Sequence, residues 1–163
     1  YIDMRRVEGG SEVRLLECTN PKRNKWRVRW DIRPKEDSEN IVTYMEEEFD
    51  HKPTTEEIRA LITGWYNECT DMAILSGFSY ENMPVWLSSE NQFNYKAAYD
   101  LAVQSGGKSL PVTFKFGTDE KPRYRTFTTL EELTDFYTKA MSHIQDTLYE
   151  GWRKKDGFNI EVY

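Results

Sequence analysis

Cysteine is nearly absent from this chain. Cys18 and Cys69 are the only two among 163 residues, too few for a disulfide scaffold, so a reduced, cytosolic chain is the plainer expectation. Histidine is equally scarce, at His51 and His143. Long apolar runs are missing too. No stretch approaches the roughly 18–20 residues of a membrane span, and no signal-peptide pattern is visible. An excess of positive charge is also lacking. With 22 Lys and Arg against 28 Asp and Glu the net charge is -6, which argues against a general nucleic-acid coat. None of the HExxH, CxxC, Walker or nucleophile-elbow patterns occurs.

What is present is aromatic and periodic. Aromatic residues make up 14% of the chain, enough for a packed core rather than disorder. Period-two alternation marks strands and three- and four-residue steps mark helices. Tyr1 to Gly10 reads as a loose lead-in. Val13–Cys18, Lys25–Ile32 and a strand starting at Ile41 form a three-stranded meander, with turn chemistry at Asn20–Asn24. In the middle strand Trp26, Val28, Trp30 and Ile32 share one face. Arg27, Arg29, Asp31 and Arg33 share the other.

Three capping boxes then precede three apolar stripes. Thr54 with Glu57 opens the first, over Ile58, Leu61, Ile62, Trp65, Cys69 and Met72, and Gly77 stops it. Ser89 with Gln92 opens the second, over Phe93, Ala97, Leu101 and Ala102. Thr129 with Glu132 opens the third, over Leu133, Tyr137, Ala140, Met141, Ile144 and Leu148. Between them, Gly77–Met83 reads as turn-rich, Pro84–Leu87 as a short strand and Leu110–Thr128 as a hairpin. Phe158–Tyr163 alternates again, as a last strand or a partner-binding tail. The fold expected is α+β: an antiparallel β-meander and hairpin packed with about three amphipathic helices. Its organisation is an N-terminal β-meander layer, 1–53, and an α+β domain, 54–163, together one compact unit. The core expected is Trp26, Trp30, Ile58, Leu61, Trp65, Phe93, Leu101, Phe114, Leu133, Tyr137, Met141 and Ile144.

Four patterns invite functional readings. Lys22, Arg23, Lys25, Arg27, Arg29 and Arg33 are interleaved with Trp26 and Trp30, as a single-strand nucleic-acid groove would be. Alternation sends the two sets to opposite faces, so tryptophans in the core and arginines in water is the simpler reading. Glu46, Glu47, Glu48, Asp50 and His51 have the composition of a hard-metal site. They lack its turn spacing, and read instead as a charged strand edge. A Cys–His nucleophile would join Cys18 or Cys69 to His51 or His143, with no local support; His143 reads as solvated. Gly106–Gly107 reads as a helix stop. No catalytic, cofactor or metal residue is assigned, and no zinc, magnesium or nucleoside-phosphate site is expected.

Gly77-Phe78-Ser79-Tyr80, with Val85 five residues on, fits a "G-F-x-Y-x-x-x-x-V" strand. A helix opened by Gln92 after Ser88-Ser89, a hairpin, and Thr129-Leu130-Glu131-Glu132-Leu133 follow. This order resembles a domain of unknown function found in tailed-phage and prophage proteins, often encoded near tail-fibre genes. The resemblance covers about half the chain and leaves the N-terminal meander outside. Where the family has a Trp- and Asn/Asp-rich strand, this chain has Phe114, Phe116 and Tyr124. The resemblance implies a virion- or tail-associated role, in the bacterial host cytoplasm or the virion, and carries over no catalytic residue.

The function expected is therefore non-enzymatic: a structural, adaptor or assembly factor working through a protein partner or self-association, without membrane insertion. The alternative is a small regulatory or nucleic-acid-binding module using the basic hairpin. Residues 1–36 hold ten Lys and Arg against six Asp and Glu, a net of +4, and leave -10 for the rest. The side chains expected at an interface are Trp26, Arg27, Arg29, Trp30, Arg33, Phe158, Ile160 and Val162.

Overall fold

The computed structural model describes residues 6–163; residues 1–5, the start of the expected lead-in, lie outside the described residues. The fold is α+β: the described residues form three helices, an antiparallel four-stranded sheet and two hairpins. The chain divides into two compact units. The first comprises residues 6–68 with Lys155–Tyr163, and the second is Cys69–Lys154. The division falls inside a helix rather than in the loop before Thr54.

The first unit holds β1 (Arg6–Gly10), β2 (Leu16–Asn20), β3 (Lys25–Pro34) and β4 (Ile41–Phe49), in the order β1-β4-β3-β2. β1 corrects the expectation of a loose lead-in: its residues pair antiparallel with β4, from Arg6 opposite Met45 to Gly10 opposite Ile41. Two glycines at its end hid the strand, because they read as turn residues. On one sheet face Val28, Trp30 and Met45 are buried. Helix α1 (Thr55–Ser76) begins in this unit, and its Ile58, Ile62 and Trp65 are buried. Trp65 meets Trp30 edge-on, with ring centroids 6.2 Å apart. That is the T-shaped geometry the ring quadrupoles favour.

The alternation of β3 does not run to its end. Arg33 pairs with Thr43 three residues after Trp30 pairs with Met45, so a β-bulge sits between them. Asp31 takes the left-handed conformation, φ 53°, that the extra residue needs. Ile32 therefore leaves the core face on which Trp30 lies and is exposed.

The second unit contains β5 (Phe78–Tyr80), β6 (Met83–Val85), α2 (Ser89–Gln104), β7 (Val112–Gly117), β8 (Pro122–Phe127) and most of α3 (Leu130–Asp156). β5 and β6 form a hairpin across a stretch expected to be mostly turn. Its two-residue turn, Glu81–Asn82, has φ of 50° and 63°, as a twist-matched hairpin turn requires. Phe136 sits at the centre of the core. Its ring lies 5.1–6.3 Å from those of Phe78, Tyr80, Tyr95, Phe114, Phe116 and Phe127. Phe136 is fully buried, as is Leu133. Within this unit α3 also crosses the last turns of α1 closely. A Cβ on Gly151 would collide with the Thr70 hydroxyl.

The capping box closes fully at the first helix. Thr54 Oγ1 accepts from Glu57 N at 3.1 Å, and Glu57 returns the bond to Thr54 N at 3.1 Å. Thr129 Oγ1 accepts from Glu132 N at 3.2 Å. The second helix is capped one residue earlier than expected. Ser88 Oγ accepts from Asn91 N at 3.1 Å, while Gln92 donates to the Leu87 carbonyl at 2.9 Å.

The buried face of α2 is a larger correction. Tyr95 and Ala102 are buried, with Ala98 and Tyr99 packed beside them. Phe93 is 69% exposed and Leu101 56% exposed, although both were expected in the core. The helix carries apolar residues on two faces, and the face with the small alanines and tyrosines is the one that packs.

Candidate functional site

The expected interface residues of β3 do not form one surface. Trp30 and Arg29 are only 3% and 7% exposed, so neither is available to a partner. Arg29 was expected in water. Instead its Nε donates to Glu46 at 2.7 Å, and its two terminal nitrogens reach the Arg14 carbonyl at 3.0 Å and Glu17 at 3.4 Å. Burial pulls its pKa down, and Glu46 more than reverses that, so it stays firmly cationic. Arg27 shares Glu46, at 3.2 Å. Trp26 is half-buried; its indole N–H donates to Asn24 at 2.8 Å, and the Lys52 ammonium lies 5.4 Å from its ring. Arg33 is the outlying member, exposed and paired with Asp31 at 2.7 Å. Arg27 and Arg29 are thus the positive half of a cross-strand ion-pair network with Glu46 and Glu17, placed there by the register that sets Arg29 opposite Glu46.

The acidic run separates in the same way. Glu46 belongs to that network, while Asp50 and His51 stand at the end of β4, beside the start of α1. The His51 ring is held at both nitrogens: Nδ1 lies 2.8 Å from Asp50 Oδ1 and Nε2 lies 2.7 Å from Glu57 Oε2. Asp50 and then Glu57 raise the His51 pKa above its usual value. Glu57 is held low first by the Thr54 backbone and then by His51. The ring, hydrogen-bonded to both carboxylates, ties the capping box of α1 to the end of β4. Among the described residues no group of three or more His, Cys, Asp or Glu is arranged to hold a metal ion.

His143 is anchored rather than solvated. Its Nε2 lies 3.1 Å from the Ala73 carbonyl, and its ring is 5.4 Å from that of Phe78. Cys18 and Cys69 are half-buried thiols.

The C-terminal residues form no strand. Ile160–Val162 makes a single 3₁₀ turn, which Asn159 caps by accepting from Glu161 N at 3.0 Å. Tyr163 Oη donates to the Arg29 carbonyl at 2.5 Å, and Phe158 packs against Tyr66 and Tyr163. Phe158 and Ile160 are half-buried, and Val162 is exposed. The segment folds back within its own unit because its aromatic ends find ring partners there.

Each unit has an open cleft. A polar one of about 450 Å³ in the first unit is lined by Arg59, Asn67, Lys155 and Phe158, and Lys155 there already donates to Asn67 at 3.3 Å. A groove of about 720 Å³ in the second unit runs past Pro84, Trp86, Phe116 and Thr118. Trp86, at its edge, is 50% exposed. The groove lies beside the start of α2, where Asn91 donates to the Trp86 carbonyl at 2.7 Å. Sequence reasoning passed over Trp86 as part of a strand and assigned Phe93 and Leu101 to the core. Strand-length and periodicity signals do not distinguish two apolar faces of one helix.

No protein-family model matches this chain, and no curated protein or solved structure gives a match. Among the described residues no helix is long and apolar enough to cross a membrane.

Proposed function

We propose that the chain is a non-enzymatic component that works through protein contacts, as a structural, adaptor or assembly factor of a phage or prophage particle. The observation that carries the first half of this reading is the solvent face of α2. Phe93 and Leu101 are exposed there, with Trp86 exposed just before the helix. Large apolar side chains exposed on a helix are what protein interfaces use. The charged clusters support the same reading from the other side. Arg29, Glu46, Asp50, His51 and Glu57 are each tied to structural partners. The particle half rests on the resemblance carried by Gly77–Leu87 and Thr129–Leu133. The basic hairpin is the weaker candidate for contact with nucleic acid, because two of its central members, Arg29 and Trp30, are buried.

The test is the protein content of purified particles released by the cell that encodes the chain. Mass spectrometry should find the chain at a fixed ratio to the tail or baseplate proteins. Particles of full infectivity made without it, and lacking it, would remove the particle-associated role.

A further inference from the structure

Trp86 stands out from a backbone that is fixed on both sides. Val85 and Leu87 flank it and are each only 1% exposed. Leu87 N donates to the Leu75 carbonyl at 3.0 Å, and Asn91 Nδ2 donates to the Trp86 carbonyl at 2.7 Å. Pro84, two residues earlier, is exposed like Trp86, as the alternation of an extended segment directs. The outward positions of this stretch thus carry a pyrrolidine ring and an indole on anchored backbone.

Both residues line the groove of about 720 Å³, a volume inside the range of small-molecule sites, roughly 300–1,000 Å³. A second segment, Lys115 to Asp119, lines it as well. That segment is equally fixed. Gly117 has φ 85°, the Lys121 carbonyl fills the place a Cβ would take, and Thr118 Oγ1 accepts from Lys121 N at 3.0 Å. Val85 and Phe116, at 1% and 3% exposure, close the floor. Lys115 and Asp119 are exposed, make no ion pair among the described residues, and carry charges that cancel. Asn91 uses its Nδ2 on Trp86 and keeps Oδ1 as an acceptor.

We propose that this groove binds a neutral saccharide, with one sugar ring stacked on Trp86 and its hydroxyls held by Asp119, Lys115, Asn91 and Thr118. The lining selects that class. One ammonium against one carboxylate leaves no net charge to attract a phosphate, a nucleotide or a polycation. The groove is open to water, so its ligand keeps part of its hydration, whereas an apolar molecule needs enclosure. The closed floor offers no hole to a peptide side chain. A pyranose ring fits what remains. Its C–H face is apolar and lies flat on an indole, and its rim of hydroxyls both donates and accepts. Asp119 and Asn91 accept, Lys115 donates, and the Thr118 hydroxyl does either. The site goes beyond the protein contacts proposed above, which Phe93 and Leu101 carry without Trp86. With few direct bonds in an open groove, affinity for a short saccharide is on the order of millimolar.

The test applies the full chain to a panel of immobilised neutral oligosaccharides built on glucose, galactose, mannose and N-acetylhexosamine. At least one class should bind. Saturation-transfer NMR with the free trisaccharide of that class should put the protons closest to the protein on one face of a ring. Trp86→Ala should abolish binding, and Trp86→Phe should keep part of it. Asp119→Asn and Lys115→Met should each weaken it about fivefold, the loss of one hydrogen bond. Tyr149→Ala, which removes a 64% exposed ring elsewhere in the same unit, should leave binding unchanged. High salt should leave it unchanged too, since no net charge is matched. Circular dichroism confirms that each variant is folded. Binding to no member of the panel overturns the proposal. So does binding that survives Trp86→Ala, or binding confined to acidic glycans and lost in high salt. These readings use the purified chain and sugars alone, so they stand or fall separately from its protein contacts and its presence in particles.

Discussion

The two units reach order by different means. In the first, the sheet is fastened by charge. Arg29 reaches Glu46, Glu17 and a carbonyl, Arg6 pairs with Asp31, and Arg27 pairs with Glu46. The apolar side is narrow, built on Val28, Trp30, Met45, Ile58, Ile62 and Trp65. In the second, six aromatic rings surround Phe136, and ion pairs stay at the margin, as between Arg125 and Glu81 at 2.6 Å. Ion pairs specify register, because a slip by one residue would put Arg29 on the wrong face. Ring packing specifies depth and leaves the outer faces of its helices free of structural duty. An apolar helix face could therefore persist on the second unit without being drawn into its core.

The largest effect that tests this contrast is at the hub. Phe136→Ala should cost about 3–5 kcal/mol in urea unfolding, since a cavity among so many rings cannot close by small shifts. A loss below that range would mean the rings repack freely and the second unit has no single centre. Next is Arg29→Ala, expected to cost about 1–3 kcal/mol by leaving Glu46 and the Arg14 carbonyl short of a donor. Arg29→Lys should recover only part of this, because an ammonium cannot present the same fork. If Arg29→Ala proves costlier than Phe136→Ala, the comparison reverses and the polar network is the stronger fastening.

A matched pair sharpens the account of the second unit. Leu133→Ala should cost about 2–5 kcal/mol and Leu101→Ala about 0.5 kcal/mol or less, measured at concentrations low enough to keep the chain monomeric. The smallest effect belongs to His51. Its folded pKa is raised by Asp50 and Glu57, so its contribution is fully present below about pH 6.5, the unfolded value, and is lost as pH rises through the folded one. Asp50 is held low first by His51, and Glu57 first by the Thr54 backbone. Their contribution is present above their unfolded values and is lost as pH falls through the folded ones. Urea midpoints taken from about pH 5 to 8 should fall slightly, and His51→Gln should flatten the slope. A midpoint that rises with pH over that range would place the ring outside the clamp.

The starts of α1 and α3 were legible, and that of α2 to within one residue, because capping is local. Thr54, Ser88 and Thr129 lie close in the chain to the groups they satisfy. The α+β class followed from the alternation of β3 and the stripes of α1 and α3. What was not legible depended on distant partners. Arg29 looks like any outward arginine until Glu17, Arg14 and Glu46 are brought round it. The bulge at Asp31 was passed over, although aspartate is uncommon in strands and enriched at positive φ. In α2 the spacing of Phe93, Ala97 and Leu101 is as good a stripe as that of Tyr95, Ala98 and Ala102. Only the sheet behind the helix decides between them. The C-terminal strand was misread for a similar reason: Phe158, Ile160 and Val162 alternate with polar residues, but ring contacts of Phe158 and the hydrogen bond from Tyr163 to Arg29 hold the segment in a turn.

Gly151 is the feature with the widest reach in time. A glycine inside a helix costs about 1 kcal/mol against alanine, and here even a methyl would strike Thr70. Positions 70 and 151 therefore cannot drift independently as the lineage diverges. Descendant sequences should keep glycine at 151 wherever 70 is threonine or larger. They should admit alanine or serine at 151 only where 70 has shrunk in step, so that two sites 81 places apart in the chain are inherited as one.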